Sequence, residues 1–221
     1  MPASASTHQL EPLRKALRLP RVNLFIADDV GLGKTIEGGL IARELLLRKR
    51  IDTIVVTCPP AILLQWQEEL EARIGLGFVI LDRAFIAAMR RERGFSVNPW
   101  RTHSRFLISH RLLIDEAYAA GLRDWLGDFR PRSMLIIDEA HHAAPASGAR
   151  YAIDSQITRT MRDVAPRNHR TLGSPPAAWS RTERPRSGGG CVASWHIKWS
   201  RLVTPQLPND TAFAWGTSLI C

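Results

Sequence analysis

Through about Pro166, short apolar runs alternate with longer stretches in which apolar residues recur every three to four positions. Period and length predict strands at 21–27 (RVNLFIA), 53–57 (TIVVT), 78–81, 106–109 and 134–137. Between them, 35–49 places Ile36, Leu40, Ile41, Leu45 and Leu46 on one helical face. Residues 61–73, 84–93 (with a basic face) and 150–164 also read as helices. The strand runs are apolar throughout rather than alternating, which is the pattern of parallel strands buried on both faces. Strands alternating with helices of this length predict an α/β fold, a parallel sheet flanked by helices. After Pro166 the pattern stops. Arg, Pro, Ser, Gly and Trp dominate, with four of the seven tryptophans in the last 55 residues. The chain therefore divides into a lobe over 1–166 and an atypical, poorly ordered tail over 167–221, whose best element is a short stretch at 195–203.

Composition changes this picture little. An apolar content of 45% and a charged content of 23% are those of soluble globular proteins. No apolar run approaches the roughly 20 residues of a membrane span, and residues 1–8 lack the apolar core of a signal peptide. Cys58, Cys191 and Cys221 lie far apart and follow no metal-ligand spacing, which fits a reducing compartment. A cytoplasmic protein without membrane attachment is expected. The net charge of +9 is uneven: 167–221 holds seven Lys/Arg against two Asp/Glu. The small surplus left to the lobe reads as a solvated face, so any case for a nucleic-acid partner must come from motifs.

The strongest motif is Asp28-Asp29-Val30-Gly31-Leu32-Gly33-Lys34-Thr35, between a predicted strand and a predicted helix. That is the context of a phosphate loop. Gly31 and Gly33 let the backbone turn tightly enough for its N–H groups to converge on phosphate oxygens, and the helix N-terminus adds a favourable dipole. Lys34 is placed to reach the β- and γ-phosphates, and Thr35 to ligate Mg²⁺. Asp28 stands where the general pattern has glycine.

A second motif, Ser133-Met134-Leu135-Ile136-Ile137-Asp138-Glu139-Ala140-His141, is an apolar strand ending in two carboxylates. Phosphate-loop ATPases need an acidic partner for the metal and a group that activates water. Asp138 fits the first role and Glu139 the second, and no site built from protein ligands alone is implied for the metal. The near copy Leu113-Ile114-Asp115-Glu116-Ala117 is a decoy. Leu112, Leu113, Ala119, Leu122 and Leu126 share a helical face, so Asp115 and Glu116 read as a helix start. His141 and His142 have no further ligands near them in sequence and read as coupling or structural residues.

With both motifs in place, the chain resembles helicase superfamily 2, and within it the Swi/Snf-type ATPases and their bacterial branch. The block 26–41 (IADDVGLGKTIEGGLI), with Glu37 as in the bacterial branch, is similar to their first motif, and Asp138-Glu139-Ala140-His141 to their DEAH motif. Thr57-Cys58-Pro59-Pro60 and Leu64-Gln65-Trp66 resemble a segment that contacts a nucleic-acid backbone, and 106–109 a second one. The resemblance thus assigns Pro59, Gln65, Trp66 and Ser109 to nucleic acid. His8-Gln9-Leu10 resembles the glutamine motif, which assigns Gln9 to adenine. It implies a first RecA-like lobe, ATP and Mg²⁺ as cofactors, Lys34, Asp138 and Glu139 as catalytic residues, and duplex DNA as a weakly held track.

The resemblance ends near Arg170. There a Ser/Thr-Ala-Thr-Pro motif is expected and Thr171-Leu172-Gly173-Ser174-Pro175-Pro176 is read. No second lobe with its arginine fingers follows, and such arginines are worth about 10³–10⁵ in rate in related NTPases. A frame shift, a truncation and divergence all account for this departure. Deficient turnover is expected, relieved by any chain supplying the second lobe. The alternatives are a nucleotide-switched module that binds DNA or protein without catalysis, and an inactive truncated product. Among enzymes the runner-up is a phosphate-loop kinase, which the DEAH motif disfavours.

Overall fold

The computed structural model describes residues 7–19, 22–26, 34–143, 155–173 and 217–220. The expected strands all form: β1 (Asn23–Ile26), β2 (Thr53–Cys58), β3 (Val79–Ile80), β4 (Arg105–Ser109) and β5 (Arg130–Ile137). Two more join them, β6 (Asn168–Gly173) and β7 (Thr217–Ile220). All pair in parallel in one seven-stranded sheet of order β3-β4-β2-β5-β6-β1-β7.

Strand residues alternate between two cores. Ile54, Val56, Leu107, Met134 and Ile136 face one side, while Val55, Phe106, Ile108, Leu135 and Ile137 face the other. This is why the strands read as unbroken apolar runs. On the first side lie α1 (Thr7–Arg18), α2 (Lys34–Leu47) and α3 (Leu63–Glu69), contributing Ala16, Ile41, Leu45 and Trp66. On the second lie α4 (Arg83–Arg93), α5 (His110–Leu113), α6 (Glu116–Leu126) and α7 (Gln156–Val164). They pack Ile86, Leu113, Leu122 and Met161 there, around an aromatic cluster in which Trp100 meets Phe106 at 5.2 Å and Trp125 at 6.2 Å between ring centroids.

Several expectations are corrected. The helix expected over 61–73 is three pieces: a 3₁₀ turn (Pro60–Ile62), α3, and a π turn (Leu70–Ile74) closed by Gly75 at φ 72°. The π turn brings Leu70 and Ile74 onto Gly39 of α2, where a Cβ would lie 2.8 Å from Leu70 Cδ2 and 2.9 Å from Ile74 Cγ1. Glycine at that position is therefore a packing requirement. Helix α1 is not anticipated in the sequence reading, because Pro12 and a polar first turn mask its apolar stripe of Leu13, Ala16 and Leu17.

Composition groups residues 168–173 with the tail, but they form β6, an interior strand between β5 and β1. The strand was missed because its sequence, NHRTLG, is largely polar. Several of its polar groups find partners in the fold. Asn168 Nδ2 donates to the Val164 carbonyl at 3.0 Å, and the His169 amide to Ser133 Oγ at 3.0 Å. Buried Arg170 donates through Nη1 to the Arg50 carbonyl at 2.9 Å. Desolvation, and then the neighbouring Arg50 charge, push the pKa of Arg170 down to about 10. The tail likewise contains β7, paired along β1. The expected elements at 150–154 and 195–203 lie outside the described residues.

The decoy reading holds. Asp115 caps α6, its Oδ1 accepting from the Ala117 amide at 3.0 Å, and Leu113, Ala119, Leu122 and Leu126 are buried. No helix among the described residues is long and apolar enough to cross a membrane.

Candidate nucleotide site and nucleic-acid face

Strand β5 runs straight into the paired carboxylates. The Asp138 amide donates to the Thr57 carbonyl at 2.9 Å, which continues the β2 ladder one residue past the strand. The chain then turns through Glu139 at φ 48°, a left-handed conformation costly for a residue with a Cβ. Such outliers persist where the surroundings over-determine them, often at functional sites. The turn also carries the Glu139 amide back onto Asp138 Oδ1 at 2.9 Å. The other oxygen, Oδ2, accepts from the indole Nε1 of Trp66 at 2.8 Å. Asp138 is 9% exposed and Trp66 3% exposed, so both bonds lie in a nearly dry environment that strengthens them.

Beside Asp138, Cys58 closes β2. Burial, and then the negative charge of Asp138, push its thiol pKa up to about 12. It is a neutral packing residue beside the site.

Lys34 and Thr35 open α2 and are half-buried. Lys34, Gly38, Trp66, Ile136 and Leu172 line one small cavity of about 10 Å³. The start of α2, the inner face of α3 and the C-terminal ends of β5 and β6 thus converge at one place. This is the end of an open parallel sheet at which ligands bind. Gly31 and Gly33 lie outside the described residues, as does the side chain of Gln9, whose backbone belongs to α1. One carboxylate and one hydroxyl, with a lysine alongside, suit Mg²⁺ held largely by phosphate oxygens and water. Among the described residues no group of three or more His, Cys, Asp or Glu is placed to hold a metal by itself.

The four residues assigned to nucleic acid divide into two pairs. Pro59 and Gln65 are at or near the surface, the Gln65 amide donating to Glu69 Oε1 at 3.0 Å. Ser109 is buried and caps α5, its Oγ accepting from the Leu112 amide at 3.2 Å. Trp66 points inward to Asp138, so its ring has no free face on which a base could stack.

The same end of the sheet carries a second, larger groove of about 530 Å³. Pro59, Pro60, His110, Arg111, Ile114, His142 and residues 155–157 line it. The His110 and His142 rings meet there edge to face at 6.3 Å. Exposed Arg111 and the groove itself escaped the sequence reading. The only signal was a cation two residues past the end of β4, and a groove assembled from four separated segments has no sequence pattern.

No family model matches the chain. Among curated proteins it is 30% identical over 173 residues to the RNA polymerase-associated protein RapA of Serratia proteamaculans. It is 31% identical over 155 residues to RapA of Actinobacillus pleuropneumoniae. These matches take in 74% and 64% of this chain but only 16% and 15% of the relatives, so the chain spans about a sixth of their length. In structure it is similar to the SWI2/SNF2 ATPase core of Sulfolobus solfataricus in complex with dsDNA. That similarity has a TM-score of 0.57 at 16% identity, over 79% of this chain and 32% of that one. The Pyrococcus furiosus Hef helicase domain superposes with a TM-score of 0.57 at 16% identity, over 88% of this chain and 35% of that one. At these identities the structures establish the fold alone, a RecA-like α/β lobe.

Proposed function

Because the chain belongs, in its matched part, to the Swi/Snf-type ATPases of helicase superfamily 2, we propose that it is the ATP-binding lobe of a DNA-dependent motor. In this reading ATP binds with Mg²⁺ across the C-terminal ends of β1, β5 and β6. The observation that carries it is that Lys34 and Trp66 line one cavity at the ends of β5 and β6, with the Trp66 indole bonded to Asp138. Lys34 neutralises phosphate charge, and Thr35 and Asp138 hold the metal directly or through water. Glu139 orients and activates the attacking water. Gly31 and Gly33 present backbone N–H groups to the phosphates, and Gln9 reads the adenine. Bound magnesium supplies charge stabilisation on the β- and γ-phosphate oxygens.

The track belongs to the neighbouring surface. Pro59 and Arg111 line the groove past the ends of β2 and β4, and Gln65 is exposed on α3; in this reading all three contact a phosphate backbone. That duplex DNA is the ligand is supported by the similarity to an ATPase core solved with dsDNA.

Isothermal titration of the 221-residue chain with Mg-ATP tests the reading. Binding is expected, and Lys34→Ala should weaken it by at least about tenfold, because it deletes a charge-assisted contact with phosphate. Equal affinity of wild type and variant would remove the nucleotide assignment.

A further inference from the structure

Trp66 lies in a segment that resembles one contacting a nucleic-acid backbone, yet its indole is bonded to Asp138, the carboxylate assigned to the metal. We propose that Trp66 is a positioning residue: its indole N–H orients Asp138 toward magnesium and ties that carboxylate to α3. The inference rests on the nucleotide reading above.

The geometry is specific. The donor lies 2.8 Å from Asp138 Oδ2, and the Glu139 amide 2.9 Å from Oδ1, so each carboxylate oxygen is held from the protein side. Free rotation of the carboxylate would break both bonds, so the lone pairs left for a metal point in one set of directions. Partners in the shell around a metal ligand set its orientation and basicity in this way. An indole suits the task chemically. It donates and never accepts, and it carries no charge. It therefore orients the carboxylate without cancelling the negative charge that attracts the cation, which an arginine or lysine here would do.

The ring is itself held. It packs over Gly38 of α2, where an added Cβ would make ordinary contact with ring atom Cη2 at 3.9 Å, and Ile136 lines the same cavity. The donor also comes from a helix with a second role. Next to Trp66 on α3, Leu64 and Gln65 are exposed, and Gln65 is one of the residues assigned to the track. A displacement of α3 caused by a ligand at those residues changes the Trp66–Asp138 bond directly, with no intermediate residue. Trp66 is thus a direct hydrogen-bonded link from α3 to the carboxylate.

The test compares the full-length wild-type chain with Trp66→Phe, which keeps an aromatic ring and removes the donor. Fluorescent ATP analogue binding is measured in EDTA and across a magnesium titration. The expected result is Mg-free affinity within about twofold of wild type and a magnesium half-saturation raised about tenfold, the usual cost of losing a partner that orients a metal ligand. An unchanged magnesium half-saturation overturns the proposal. So does an equal loss of affinity with and without magnesium, which makes Trp66 a packing residue only.

If Trp66→Phe does not fold, the ¹⁵N-indole spectrum of the wild type decides instead. Of its seven tryptophan resonances, the one displaced in Asp138→Asn should shift when magnesium joins the nucleotide complex. No magnesium response at that resonance overturns the proposal. Failure of the wild type to bind nucleotide at all is a separate outcome, which defeats the nucleotide reading and this inference with it.

Discussion

Cys58 and Asp138 lie at the C-terminal ends of adjacent strands, and their proximity has a measurable consequence. The thiol pKa rises from 9.0 to about 12 because burial and the Asp138 charge both disfavour the thiolate. A folded-state pKa above the unfolded value means that the native state holds the proton more tightly. The resulting stabilisation is fully present below about pH 9 and is lost as pH rises toward about 12. Cys58→Ala isolates this effect from other alkaline titrations, including that of Arg170. The stability gap between wild type and Cys58→Ala, from urea denaturation, should be constant up to about pH 8 and narrow above 9. A gap independent of pH up to 10.5 would show that the thiol is not held neutral. At this scale the sequence assigned Lys34, Thr35, Asp138 and Glu139 from motif chemistry. It could not show that Trp66 turns inward, because residues 64 to 66 of one helix point in different directions and only packing decides which is buried.

Among the elements, β6 carries the most weight for its length. It separates β5 from β1, so the strand leading to the phosphate loop joins the sheet on that side only through Asn168–Gly173. A chain ended at residue 166 loses both flanks of β1 and exposes the inner edges of β1 and β5, since β7 is removed too. Unpaired interior edges carry unsatisfied N–H and C=O groups and template aggregation. The 1–166 fragment should therefore fail to show a cooperative thermal transition by circular dichroism, whereas 1–173 should melt cooperatively. A cooperatively folded 1–166 fragment would show that β6 is dispensable. The apolar strands and most helices were legible because tertiary burial is written into their periodicity. β6 was not, because its sequence NHRTLG is largely polar and leaves no apolar run. The break between α3 and the π turn was equally hidden, since it depends on the close approach to Gly39.

For the whole molecule, one lobe limits what the chain can do. In the proposed reading Lys34, Thr35, Asp138 and Glu139 supply nucleotide binding and water activation. Charge spreads over the γ-phosphoryl oxygens only as the transition state forms, and its stabilisation depends on preorganised donors. In the resemblance drawn above those donors are arginines of a second lobe. ATP turnover by the 221-residue chain is therefore expected near background, with no stimulation by duplex DNA, in a steady-state phosphate-release assay. Robust DNA-stimulated release that disappears in Glu139→Gln would show that the single lobe completes the site unaided.

The sequence alone determined the fold class, the positions of the apolar strands along the chain, the acidic strand end and the rejection of its decoy at Asp115. Each of these is encoded locally, in a period, a cap or a spacing between neighbours along the chain. Tertiary structure alone decided that a polar segment forms the middle of the sheet and that Arg111 lines a groove. It also decided that the Trp66 indole holds Asp138. Those depend on which residues distant in sequence meet across the sheet. Trp66 and Asp138 are separated by 72 positions, and no local pattern records that one supplies the proton the other accepts.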